Sequence, residues 1–262
     1  MKTDFHLDKA KVKQSFAAAA NTYDAMAALQ RQVGLDLLAK FPLSDRAGQI
    51  LDLGCGTGFL SRQLPLDQDG QSLLAIDIAL PMLEKSRELN QQINWQYVCA
   101  DAEKLPLQSA SVQQVFSNLA FQWCEDLSAV FSECRRVLVN DGQLQFATFG
   151  PATLKELKAA WAQVDDFEHV NQFVSLSGIR QNLIDVGFVD FELQSQIYPV
   201  SYASVMDLMR ELKAIGAHNV SEGRNKKMTT RRQLQAMIQC YEYAMPEQAI
   251  LASYEIIFVR AK

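Results

Sequence analysis

Apolar runs of strand length alternate with helical patterns over the first part of this chain. The runs occupy 49–53, 72–77, 95–101, 111–118 and 143–149. Between them, apolar residues recur at steps of three and four, as they do on one face of a helix. This alternation predicts a parallel sheet that is covered by helices on both faces. In such sheets, ligands bind beyond the carboxyl ends of the strands.

The rest of the chain adds helices before this pattern and two strands after it. Residues 8–41 have helical periodicity, and Asp8 is suited to cap the first helix. Helices are also predicted over 154–164 and 175–186, and strands over 188–198 and 250–259.

Two helical faces between the last two predicted strands indicate an insertion at one edge of the sheet. We therefore expect an α/β fold with a doubly wound, mostly parallel, seven-stranded sheet. Its predicted parts are N-terminal helices over 1–45, a core over 46–202, a helical insertion over 203–246 and a last core strand over 247–262.

Three alternating glycines follow the first apolar run. Gly54, Gly56 and Gly58 are followed by Phe59, Leu60 and Leu64 at helical spacing, so the pattern predicts a strand, a tight turn and the start of a helix. Glycine permits backbone conformations that other residues avoid, and it lets a ligand approach the main chain. Taken alone, the turn is either a packing feature or a nucleotide-type site.

Polar residues stand at the ends of four predicted strands: Asp52, Asp77, Asp101 and Asn118. Asp77 follows Asp52 at a spacing close to the roughly 20 residues at which an acid of a nucleotide fold meets ribose hydroxyls. A carboxylate accepts two hydrogen bonds, as a vicinal diol requires. The alternative is an exposed aspartate at a strand end, but four polar groups at the same edge favour a ligand site.

Composition narrows the functional classes. The 262 residues are 48% hydrophobic and 21% charged, with a formal net charge of -5, which argues against a surface that grips nucleic acid. No apolar window reaches the roughly 18 residues that a membrane span needs. The five cysteines are scattered without a Cys-x-x-Cys pair, and the three histidines do not cluster with acids or cysteines. We therefore expect no disulfide framework, no metal site and a reducing, cytoplasmic setting.

The glycine turn lacks the last glycine of the dinucleotide fingerprint, because Phe59 stands in its place. Asp52 followed by the three glycines instead resembles motif I of the class I S-adenosylmethionine-dependent methyltransferases, and the resemblance extends over about 48–150. It implies that Asp52, Gly54 and Gly56 border the methionine part of this cofactor and that Asp77 takes its ribose diol. It further implies that the adenine site is formed by Asp101, the amide of Ala102, Ile78 and Met82. Asn118 would border the amino-acid end of the cofactor.

Four further stretches, three of them outside this region, resemble the malonyl-acyl carrier protein O-methyltransferases of biotin synthesis. The similar stretches are 15–24, 120–124, 209–218 and 222–224. The resemblance implies methylation of the free malonyl carboxylate while the malonyl group is carried by the phosphopantetheine of an acyl carrier protein. A methyltransferase for a free small molecule or a quinone precursor is the alternative, and a non-enzymatic cofactor-binding protein is a third hypothesis.

The acceptor end has aromatic and basic candidates. Phe16, Tyr23 and Trp123 are candidates for positioning the acceptor, or else core aromatics, and an already ionised carboxylate needs no general base. Residues 210–232 contain seven basic and two acidic side chains, a net charge of +5. This segment predicts a docking face for an acidic carrier or its phosphate, or else a solvated pair of basic helices. The candidate docking residues are Arg210, Lys213, Arg224, Lys226, Lys227 and Arg231.

Overall fold

A computed structural model describes residues 7–43, 48–64, 66, 70–90, 95–217, 229–244 and 249–262. Its single seven-stranded sheet has the order β3-β2-β1-β4-β5-β7-β6. The strands are β1 Gly48–Leu53, β2 Gln71–Asp77, β3 Trp95–Cys99, β4 Val112–Asn118, β5 Leu138–Phe149, β6 Phe191–Tyr202 and β7 Ile250–Ala261. The first five strands pair in parallel, and β7 is antiparallel to both β5 and β6. The doubly wound, mostly parallel sheet is therefore confirmed.

Helices cover both faces of the sheet in the described part of the chain. They are α1 Lys9–Ala19, α2 Tyr23–Met26, α3 Ala28–Lys40, α4 Leu80–Leu89, α5 Leu127–Val137, α6 Lys155–Trp161, α7 Leu176–Asp185, α8 Val205–Ala214 and α9 Arg231–Tyr243. One core joins apolar side chains of α3, α6, α8 and α9 to the sheet. A second core joins those of α5 and α7 to the opposite face. Side chains alternate along β1, so Ile50 belongs to the first core and Leu51 and Leu53 to the second.

Two local predictions are wrong. The glycine turn leads into a 3-10 turn at Ser61–Gln63 rather than an α-helix. Pro65 explains this, because a proline disfavours the helical conformation of the residue before it, and Leu64 is extended. The sequence Asp141-Gly142, before the apolar run over 143–149, also predicts a turn. These two residues instead lie inside β5, where the pairing with β4 is irregular.

The insertion between β6 and β7 contributes α8 and α9. Ser204 caps α8, and Thr230 and Gln233 form a capping box at the start of α9. The Tyr241 hydroxyl donates to the Leu251 carbonyl at 2.8 Å and so ties α9 to β7. On the other side, Thr22 donates to the Ala214 carbonyl at 3.0 Å, which joins the N-terminal helices to the end of α8. The division at 45, 202 and 246 stays a prediction.

Candidate active site

A cavity of about 780 Å³, partly open to solvent, lies at the carboxyl ends of β1, β2 and β4; we call it the strand-end cavity. Helix α1 and Tyr23 cover one side of it. The predicted site residues that line it are Gly54, Gly56, Asp77, Ile78, Met82, Asp101, Ala102, Asn118, Phe16, Tyr23 and Trp123. The structure therefore brings together every described residue of the predicted cofactor and acceptor-positioning sets except Asp52.

The glycine turn forms the floor of this cavity. Gly54, Gly56 and Gly58 have φ values of +77°, +55° and +76°, which side chains disfavour. A Cβ on Gly54 would lie 2.3 Å from the Cβ of Ala120, whereas a Cβ on Gly56 would meet nothing within 4 Å. Gly54 is thus required by close packing, and Gly56 leaves room for a ligand beside the main chain.

Asp77 is held at the end of β2 by backbone amides. One carboxylate oxygen accepts from the Gly56 amide at 2.9 Å and the other from the Ala79 amide at 2.8 Å. Burial raises the pKa of Asp77, and these amide hydrogen bonds oppose the rise. Because each carboxylate oxygen has two lone pairs, the group keeps acceptor capacity for a diol.

A three-residue ion cluster lies at the β3 end of the cavity. Lys9 of α1 contacts Asp101 at 2.8 Å and Glu103 at 2.7 Å, and Glu103 also accepts from the Glu125 amide at 2.8 Å. Partial burial lowers the pKa of Lys9, but its hydrogen bonds to the two acids outweigh this and raise the pKa overall. The cluster attaches α1 to the strand that carries the predicted adenine site.

Asn118 at the end of β4 leaves one acceptor unused. Its amide nitrogen donates to the Gln30 carbonyl at 2.8 Å, while its Oδ1 is buried without a hydrogen-bond partner. A buried acceptor without a donor is costly, so this oxygen suits a ligand that brings an N–H group. An ammonium group is such a ligand.

Asp52 does not line the cavity. Its carboxylate is 2% exposed and accepts a hydrogen bond from the Ser61 hydroxyl, beneath the glycine turn. Side chains alternate along β1, so Asp52 shares the face of Ile50, while Leu53 reaches the cavity. Burial raises the pKa of Asp52 to about 6. The structure therefore places Asp52 under the turn and outside the cavity lining, and the idea that it borders the ligand stays a prediction.

The three predicted aromatic residues form one wall. The ring of Phe16 meets that of Trp123 edge-on with centroids 5.3 Å apart, and that of Tyr23 at 6.5 Å. Burial, then Asp77 and Asp24, raises the pKa of Tyr23, so its hydroxyl keeps its proton at neutral pH. Asp24 accepts a hydrogen bond from Thr57 of the glycine turn, which fixes α2 against the cavity floor.

A second cavity, the helix-covered cavity, adjoins the first. Trp123 lines both, and Gln30, the backbone partner of Asn118, lines the second. Its walls include Met209 and Leu212 of α8, and Arg210 and Lys213 also line it.

The predicted docking residues are only partly assembled around this cavity. Arg210 is exposed and pairs with Asp207 at 2.6 Å, which offsets part of its charge. Arg231 is exposed at the start of α9 and does not line the cavity. Arg224, Lys226 and Lys227 lie outside the described residues.

Sequence reasoning missed several residues of both cavities. Lys9 and Glu103 belong to no recognisable sequence motif. The only signal for Glu103 was its position two residues after Asp101. Glu211 and Tyr254 line the helix-covered cavity and were not expected there. Within the described residues, no group of three His, Cys, Asp or Glu side chains is arranged to hold a metal ion. No helix in that part of the chain is long and apolar enough to span a bilayer.

Comparison with known proteins agrees with this geometry. Residues 51–146 match a family described as a methyltransferase domain. A phosphoethanolamine N-methyltransferase of Haemonchus contortus, solved with S-adenosyl-L-methionine, shares the fold with a TM-score of 0.58 at 16% identity, over 94% of this chain and 57% of that one. The fold and the domain define the chain as a methyltransferase of class I architecture.

Two curated relatives narrow the family. A malonyl-[acyl-carrier protein] O-methyltransferase from Methylovorus sp. (strain MP688) is 42% identical over 97% of this chain and 89% of its own length. The biotin biosynthesis bifunctional protein BioHC of Cellvibrio japonicus is 40% identical over 97% of this chain, which spans 50% of that longer protein. The chain belongs to the malonyl-[acyl-carrier protein] O-methyltransferase family.

Proposed function

We propose that this enzyme transfers a methyl group from S-adenosylmethionine to the free carboxylate of a malonyl group carried on acyl carrier protein, in the early part of biotin synthesis. The observation that carries the proposal is that Trp123 lines both cavities. A donor in the strand-end cavity and an acceptor in the helix-covered cavity would therefore lie close together at this residue. The family membership supports the same pair of substrates.

The residues present fit S-adenosylmethionine. The strand-end cavity is lined by apolar side chains together with a few carboxylate and amide groups, as small-molecule sites are. Asp77 would accept from the ribose diol, and Asp101, Ala102, Ile78 and Met82 would surround the adenine. The unpartnered Oδ1 of Asn118 would accept from the ammonium group. Gly54 and Gly56 would lie beside the methionine part, with Asp52 supporting the turn from below.

Methylation of a carboxylate requires little acid-base catalysis by the protein. A malonyl carboxylate has a pKa near 4 and is ionised at neutral pH, so no group has to remove a proton. When bound, the cofactor supplies a methyl group on a sulfonium; the carboxylate oxygen forms the new C–O bond while the C–S pair returns to sulfur. Phe16, Tyr23 and Trp123 would exclude water and orient the carboxylate for in-line attack.

The protonation states of nearby groups support this role. The Tyr23 hydroxyl is protonated and can donate a hydrogen bond but not act as a base. Burial, Glu103 and Asp101 raise the pKa of the Cys124 thiol, which also lines the strand-end cavity, so it is no nucleophile at neutral pH. Positioning and desolvation then account for the rate.

A carrier protein would dock near the end of α8 and the start of α9. Lys213 and Arg210 line the helix-covered cavity and are exposed, and Arg231 is exposed at the start of α9. An acidic carrier or the phosphate of its arm is attracted to such a basic face. We also propose a cytoplasmic location, which the five free cysteines support.

The apolar walls of the helix-covered cavity favour one other candidate, a methyltransferase for a free small molecule such as a quinone precursor. Mass spectrometry of malonyl-carrier protein after incubation with the enzyme and S-adenosylmethionine decides between the two. We expect a gain of about 14 daltons, one methylene, on the carrier-bound malonyl group and little methylation of free malonate. Equal methylation rates for carrier-bound malonyl and free malonate would contradict recognition of the carrier protein.

A further inference from the structure

A chain of polar groups is buried beside the helix-covered cavity. The Tyr202 hydroxyl donates to a Glu211 carboxylate oxygen at 2.9 Å, and it lies 3.1 Å from the Tyr254 hydroxyl. Glu211 and Tyr254 line the cavity, whereas Tyr202 does not, and both tyrosines are buried, with exposed fractions of 7% for Tyr202 and 3% for Tyr254. None of these groups takes part in the methyl transfer described above.

The direction of these hydrogen bonds is fixed by chemistry. A carboxylate only accepts, so the single hydroxyl hydrogen of Tyr202 points to Glu211. Tyr254 must then donate its own hydrogen to Tyr202. The Tyr254 oxygen and the Glu211 carboxylate are left as acceptors at the cavity wall.

Two other polar groups of the lining, Thr153 and His169, are already engaged within the protein. The Thr153 hydroxyl donates to the Glu255 carbonyl at 3.1 Å and accepts from the Glu255 amide at 3.1 Å. The His169 ring bonds Asp165 at 2.7 Å. Tyr254 and Glu211 therefore present an acceptor surface, which suits a ligand with N–H groups and repels a carboxylate.

We propose that the helix-covered cavity binds a pantetheine arm, with Tyr254 and Glu211 accepting hydrogen bonds from its amide N–H groups. The inference rests on the proposed function and adds the site that binds the arm. The cavity lining includes groups suited to each part of the arm. Arg210 and Lys213 would attract the phosphate, Tyr254 and Glu211 would accept from the amides, and the thioester and malonyl end would lie at Trp123, which the cavity shares with the strand-end cavity.

Kinetics with amide-bearing and amide-free acceptors test the arm site. Tyr254→Phe is expected to raise KM for malonyl-pantetheine by about three- to tenfold, as loss of one neutral hydrogen bond predicts, with kcat within about twofold. KM for the S-ethyl thioester of malonate, which has no amide, is expected to stay unchanged. Equal changes with both acceptors, or no change with either, would overturn the arm site.

Tyr241→Phe is the matched control, because it removes another hydroxyl from the same core outside the cavity lining. It is expected to leave both KM values unchanged. Malonyl-carrier protein and malonyl-coenzyme A share the arm, so Tyr254→Phe should raise KM for both. The ratio of their kcat/KM values in the unsubstituted enzyme identifies which source the enzyme uses.

Binding of pantetheine alone, followed by NMR titration, separates the two proposals. Binding that Tyr254→Phe weakens, without methyl transfer to any malonyl thioester, would overturn the proposed function and keep the arm site. Methyl transfer without detectable pantetheine binding at millimolar concentration would overturn the arm site and keep the function.

Discussion

The strand-end cavity and the helix-covered cavity meet at Trp123 but are built in different ways. Most polar groups of the first follow strand ends, and backbone amides fix them, as Gly56 and Ala79 fix Asp77. The second is assembled from α3, β5, α8 and β7, which are distant in sequence. Its polar groups are held by other side chains, as Tyr202 holds Glu211.

This difference separates the properties that depend on local backbone geometry from those that depend on packing between distant segments. The donor site depends on the geometry of β1, β2 and β4 and on the turn between them, so small backbone changes there should abolish cofactor binding. The acceptor site depends on the packing of an insertion against the sheet. Substitutions there should change KM for the acceptor and leave cofactor affinity alone. Four predictions test this separation.

The largest effect is expected for Gly54→Ala. The new Cβ would lie 2.3 Å from the Cβ of Ala120 at a φ of +77°, so the turn must move. We expect cofactor affinity, measured by calorimetry, to fall at least about 100-fold, and the free energy of unfolding to fall by about 2–3 kcal/mol.

Gly187→Ala is the matched control for Gly54→Ala. Its φ is +91° and its Cβ would meet nothing within 4 Å, so it carries backbone strain without crowding. We expect a loss of about 1 kcal/mol in unfolding free energy and unchanged cofactor affinity. An equal loss of cofactor affinity in both variants would show that crowding against Ala120 is not the cause of the loss in Gly54→Ala.

Asp52 makes the stability of the donor half depend on pH. Its pKa is about 6 in the folded protein, against about 4 when unfolded, so the folded state holds its proton longer. The free energy of unfolding should therefore fall as pH rises from 4 to 6 and then level off. Relative to Asp52→Asn, the loss should be on the order of 2–3 kcal/mol in denaturant titrations.

Asp190→Asn removes an exposed carboxylate and serves as the control for Asp52→Asn. Its stability should follow that of the unsubstituted protein across the same pH range. If the difference between the unsubstituted protein and Asp52→Asn does not vary with pH, then the Asp52 carboxylate is not buried under the turn as described.

Lys213→Glu tests the acceptor side. Reversing a rim charge should raise KM for malonyl-carrier protein about tenfold, less at high salt, without changing kcat or cofactor affinity. Lys155→Glu, at an exposed position that lines neither cavity, is the control and should have no effect. An equal rise in KM for malonyl-pantetheine would place the effect inside the cavity rather than at the carrier surface.

The unequal construction of the two cavities also explains what the sequence could predict. Strand ends follow from apolar runs, so the edge that carries Asp77, Asp101 and Asn118 was predictable from local pattern. The face of Asp52 was not, because a strand buried on both faces shows no alternation of apolar and polar residues. The missing helix after the glycine turn had a signal in Pro65.

The acceptor side was predictable only as a helical insertion with basic residues. Glu211 and Tyr254 are joined through the Tyr202 hydroxyl, and the antiparallel register of β6 and β7 places Tyr202 opposite Ile250, four residues before Tyr254. No local pattern encodes such a register between segments separated by an insertion. Lys9 likewise depends on how α1 lies across the sheet edge.

The smallest effect is expected for Lys9→Met, because two roles of Lys9 have opposite effects on cofactor binding. Lys9 holds α1 over the strand-end cavity, but it also occupies the Asp101 carboxylate that is proposed to bind adenine. Half-exposed ion pairs contribute about 0.2–1 kcal/mol, so we expect cofactor dissociation to quicken about two- to fivefold in stopped-flow tryptophan fluorescence. Lys11→Met, which removes a neighbouring α1 pair with Asp8, is the control and should leave the rate unchanged. A slower rate in Lys9→Met would mean that competition for Asp101 outweighs the attachment of α1, and that this ion cluster restricts the donor site instead of closing it.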